Sequence, residues 1–65
     1  MNLIVNGENR ETEAETVRDF LATINLRSEL VVVEHNGDIL ARNSYDDVTL
    51  KDGDVLEIVQ MMAGG

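Results

Sequence analysis

Asn-Gly occurs twice in this chain, at Asn6-Gly7 and at Asn36-Gly37, each time after a run of apolar, β-prone residues. It is the strongest short signal for a β-hairpin, because a type I′ turn needs positive φ at both central positions and Asn and Gly reach it at least cost. The first turn follows Met1 to Val5 and returns the chain through about Glu8 to Thr12. The second follows Leu30 to His35 and returns it through Asp38-Ile39-Leu40. Between them lies one helical pattern, with Val17, Phe20, Leu21 and Ile24 at i, i+3, i+4 and i+7 on one face and Arg18, Asp19 and Thr23 pointing away. Thr16, with Asp19 three residues on, gives a capping-box-like start, and Asn25 a stop.

Asn43-Ser44-Tyr45-Asp46-Asp47 is polar enough for a loop or a single helical turn, and Val48 to Leu50 leads into the turn Lys51-Asp52-Gly53-Asp54. Val55 to Met61 reads as the final strand. Alternation turns Leu56 and Ile58 inward, with Leu3, Val5, Val31 and Val33, and leaves Val55, Glu57 and Val59 outward. The order is hairpin, helix, hairpin, strand. A lone amphipathic helix must then cover one face of a mixed sheet. This predicts an α+β domain of the β-grasp type, four to five strands with one main helix, in which the first and last strands are central parallel neighbours. The opposite face stays open, and Ile4, Val32, Glu57 and Val59 are candidates there for a half-apolar, partner-binding patch. Ordinary solvent-facing strand residues would read the same way.

The whole chain, residues 1–65, makes one domain, with a tail expected from about residue 61. Without cysteine, disulfides, thiolate nucleophiles and Cys-based metal centres are excluded. The first residues lack the basic start of a signal peptide, and no apolar run approaches the ~18 residues of a membrane span, so the expectation is a soluble cytoplasmic protein. A formal charge of −8, scattered along the chain, opposes binding to nucleic acid or anionic lipid and favours a basic protein partner, though it also simply maintains solubility. His35 is the only histidine and reads as a structural residue at a strand end. Asp46, Asp47, Asp52 and Asp54 lack calcium-loop spacing, and Asp52-Gly53-Asp54 is more simply a turn. No Ser/His/Asp grouping suggests a hydrolase. The expectation is a chain without bound metal or cofactor and without catalysis of its own.

The stretch "HNGDILARNSYDDVTLKDGDVLEIVQMMAGG" resembles the ThiS family of thiamin-biosynthesis sulfur carriers, ubiquitin-like β-grasp proteins ending in Gly-Gly. The matching elements are Asn36-Gly37, Arg42 followed by Tyr45, the Lys51-Asp52-Gly53-Asp54 turn, the strand containing Glu57, and Ala63-Gly64-Gly65; "IVNGE" matches in layout at the other end. Glu34 and His35 depart from the small or aliphatic residues common in the family, and Met61-Met62 is an unusual lead into the tail.

The resemblance implies a carrier that is a substrate of enzymes. A carboxylate is a poor electrophile, so sulfur transfer needs ATP, spent by a ThiF-like adenylating enzyme, to form an acyl-adenylate on Gly65. Sulfide from a sulfur-donor enzyme then gives a thiocarboxylate for a ThiG-like thiazole synthase. Met62, Ala63 and Gly64 would form the tail that enters the active site, with Met62 also contacting the partner. The glycines have no side chain to obstruct a narrow channel. Five extended residues reach about 17 Å at roughly 3.3–3.6 Å each. Between reactions the free protein would be a monomer. A molybdopterin-synthase small subunit, a ubiquitin-like modifier and a β-grasp interaction module with inert glycines stay open.

Overall fold

Both hairpins close through paired positive φ angles, 50° and 84° at Asn6-Gly7 and 50° and 92° at Asn36-Gly37, as type I′ geometry demands. The computed structural model describes residues 1–61. Strand β1 (Asn2–Val5) runs antiparallel to β2 (Glu8–Glu11), and β3 (Val31–His35) antiparallel to β4 (Asp38–Ile39). Strand β5 (Val55–Gln60) joins the two ribbons, parallel to β1 with Leu56 opposite Val5 and antiparallel to β3 with Ile58 opposite Val33. The five-stranded order is β2-β1-β5-β3-β4, with the first and last strands adjacent at the centre. This is the β-grasp arrangement expected from the element order.

Helix α1 (Val17–Thr23) is only seven residues long, too short to persist alone. Its ends are well made. Thr16 Oγ1 accepts the Asp19 N–H at 3.1 Å. At the other end Asn25, at φ 61°, donates its N–H to the Ala22 carbonyl while Leu26 N–H reaches the Leu21 carbonyl, the double closure of a Schellman motif. Val17, Phe20 and Leu21 are buried against Leu3, Val5, Val31, Val33, Leu56 and Ile58, and Ile24 is half-buried at the helix end. Each large aliphatic or aromatic side chain so covered contributes about 1.5–3 kcal/mol.

Some boundaries differ from the expectations. Leu30 ends a 3₁₀ turn (Ser28–Leu30) instead of opening β3, because that turn redirects the chain after the helix. Thr12 lies just beyond β2, although its main chain still pairs with Met1 in both directions at 2.9 Å. Leu40 falls outside β4 while its N–H still donates to the Val33 carbonyl. A second 3₁₀ turn (Arg42–Ser44) precedes Tyr45. Tyr45 is in the core, its hydroxyl donating to the Val31 carbonyl at 3.1 Å, and Leu50 is buried beside it. The segment holding them is tied to the start of the helix by Val17 N–H to the Val48 carbonyl and Leu50 N–H to the Glu15 carbonyl.

Candidate functional site

Strand β5 is held along its whole length. At its start Val55 exchanges hydrogen bonds with Asn36, its carbonyl accepting the Asn36 main-chain N–H and its own N–H donating to Asn36 Oδ1 at 2.8 Å. The Leu56 carbonyl accepts the Asn6 N–H, and the Asn6 side-chain amide then serves both polar groups of Ile58. At its end the Met61 N–H donates to the Leu30 carbonyl at 2.7 Å, and the Arg42 guanidinium lies 4.0 Å from Met61 Sδ. The main chain is therefore fixed in the sheet as far as Met61. The tail candidates Met62, Ala63, Gly64 and Gly65 lie outside the described residues.

The face of the sheet opposite the helix is open. On it Ile4 and Val55 are each 38% exposed, Val59 61% and Ile39 72%, with Glu57 exposed among them. Val32 lies on the same face, half-buried, with Val59 directly opposite it. Glu34, half-buried, stands opposite Glu57 in the same ladder. Exposed apolar side chains interspersed with charge suit a contact that forms and releases.

At the other end of β5 a polar cluster is closed upon itself. Asp54, nearly buried, accepts the Lys51 N–H at 2.9 Å and Asn36 Nδ2 at 3.1 Å, and its Oδ2 lies 2.8 Å from His35 Nε2. Burial works against the Asp54 charge, but the bonds from His35, Lys51 and Asn36 outweigh it and hold the carboxyl below the ordinary aspartate range. His35 thus has a structural partner. Asp52 Oδ1 accepts the Asn2 N–H at 2.7 Å, and Asp46 pairs with Arg18 at 3.5 Å. Among the described residues no three His, Asp or Glu side chains converge as a metal site, and no helix is long and apolar enough to cross a membrane.

Two contributions escaped the sequence reading. Asn6 and Asn36 announce turns, yet their side chains also bind the last strand, a role set by a segment some twenty to fifty residues away. Arg42 stands beside the point where the tail begins, which its position in a polar loop did not reveal.

The model of the ThiS family matches residues 3–65. The chain is 37% identical over 65 residues to the sulfur carrier protein ThiS of Bacillus subtilis, covering 97% of this chain and 98% of that one. It is 42% identical over 66 residues to a thiazole synthase of Paramagnetospirillum magneticum, of whose length it spans 20%. The crystal structure of the thiamine biosynthesis protein ThiS from Geobacter metallireducens superposes with a TM-score of 0.82 at 40% identity, covering both chains completely. From the strand order, the paired Asn-Gly turns and a match that runs nearly the full length, the chain belongs to the ThiS family.

Proposed function

We propose that this protein is a cytoplasmic sulfur carrier for thiazole formation in thiamin biosynthesis, a substrate of enzymes and not a catalyst. An adenylating enzyme spends ATP to join AMP to the Gly65 carboxylate, releasing pyrophosphate. Sulfide from a sulfur-donor enzyme attacks that carbonyl and displaces AMP, leaving a thiocarboxylate, which then gives its sulfur to a thiazole synthase. The observation that carries this reading is the family match extending to residue 65, which includes the terminal glycine pair. Two features support the partners. A thiazole synthase contains within one polypeptide a segment like this chain. The open face carries exposed Glu57 and Val59 on β5, the strand that leads to the tail, and exposed Ile4 on the adjacent β1, where an enzyme could hold the body while the terminus reacts.

Mass spectrometry of the C-terminal peptide tests it directly. The protein is incubated with an adenylating enzyme of the family, ATP and a sulfide source, then digested. Exchange of one oxygen for sulfur on the peptide ending in Gly65 is the expected result. An unchanged peptide under conditions that convert a known carrier would make the domain an interaction module with inert glycines.

A further inference from the structure

Glu34 and Glu57 face each other across β3 and β5 on the open side of the sheet. Directly opposed side chains in an antiparallel ladder have Cβ atoms roughly 4.5–5.5 Å apart, where two like charges repel. Their surroundings are aliphatic. Along the strands their neighbours on the same face are Val32, Val55 and Val59, and Ile39 lies opposite Glu34 on β4. Among the described residues neither glutamate belongs to an ion pair, and Glu34 is already half-buried. The pair sits among the apolar side chains of that face without a cation between its members.

A partner surface laid over Val55, Val59 and Ile39 would exclude water from both carboxylates. Without a cation between them that burial is strongly unfavourable; with one, repulsion becomes two charge-assisted hydrogen bonds. A guanidinium fits better than an ammonium, since its planar fork of donors can serve two acceptors at once. The net charge of −8 draws a basic surface toward the same face. We propose that Glu34 and Glu57 form a receptor for one arginine, presented by an enzyme partner from an otherwise apolar surface, and that this receptor selects among partners. The proposal rests on the carrier reading for the identity of those partners.

The test measures binding of the full chain to the adenylating enzyme and to the thiazole synthase from the same source, by calorimetry at two salt concentrations. Glu34→Gln, Glu57→Gln and the double variant are compared with the unaltered protein. For at least one enzyme each single change should weaken binding roughly ten-fold and flatten its salt dependence. The double change should cost much less than the product of the two, because both carboxylates serve one cation. In the free protein each single change should leave the thermal midpoint unchanged or raise it, which separates lost recognition from lost folding. Undiminished binding of the variants to both enzymes would overturn the receptor while leaving the carrier reading intact. If the unaltered protein binds neither enzyme and its terminal peptide gains no sulfur, the carrier reading fails and the receptor falls with it.

Discussion

Asn6 pairs with Ile58 as though it were a strand residue: its Nδ2 donates to the Ile58 carbonyl at 3.2 Å and its Oδ1 accepts the Ile58 N–H at 2.7 Å. β1 ends at Val5, so the side-chain amide extends the parallel ladder past the turn and satisfies two main-chain groups in mid-sheet.

Replacing Asn6 by Gly keeps the positive φ and removes only the amide, and should cost about 1–2 kcal/mol for the two lost hydrogen bonds. Asn6→Ala should cost about 1 kcal/mol more, since alanine also resists the left-handed conformation. Urea unfolding of the two variants, with equal slopes, measures both quantities.

Asn25 holds φ 61° at the helix end. Glycine is at ease there, so Asn25→Gly should be neutral or stabilising by a few tenths of a kcal/mol, while Asn25→Ala should destabilise by about 1 kcal/mol. Thermal unfolding followed by circular dichroism distinguishes the two directions.

Because the Asp54 carboxyl is held below its ordinary range by His35, Lys51 and Asn36, its charge stabilises the fold above the unfolded value of about 3.9. That contribution is lost as pH falls through the lower folded value. Asp54→Asn should therefore cost about 2 kcal/mol at pH 7, and the difference from the unaltered protein should shrink steadily below about pH 4. Chemical denaturation between pH 7 and pH 2.5 checks the sign; a gap that widens in acid contradicts it.

Val59 stands largely in solvent opposite Val32. Val59→Ser should alter stability by about 0.5 kcal/mol or less, yet weaken association with the adenylating enzyme if the open face is the docking surface. Paired unfolding and binding measurements read the two effects separately.

Deleting Gly65 should abolish sulfur addition and leave the unfolding midpoint within error, since the last described hydrogen bond of the sheet is made by Met61 N–H. A large loss of stability would make the terminus a structural element instead.

How far this could be read from sequence depended on whether a residue obeys a period. Leu3, Val5, Leu56 and Ile58 sit in strands and Phe20 and Leu21 in a helix, where spacing alone assigns the buried face. Tyr45 and Leu50 are just as deeply buried, but they lie in irregular chain with no repeat to betray them. On the open face, Ile4, Glu57 and Val59 are exposed as alternation indicates; Val32 shares that face but is half-covered, a degree of shading that alternation alone does not supply. The Asn-Gly signals gave the turns through backbone preference, whereas the bonds from Asn6 and Asn36 to β5 exist only once distant strands meet.

The central position of β5 also dictates when the domain can form during translation. As the polypeptide leaves the ribosome, its opening ribbon and its later ribbon appear as separate pieces with no direct partnership in the sheet. Only the emergence of residues 55–60 stitches them together. Synthesis halted upstream of that stretch would leave two orphaned ribbons and a core lacking Leu56 and Ile58, so its closure waits on very distant pairings.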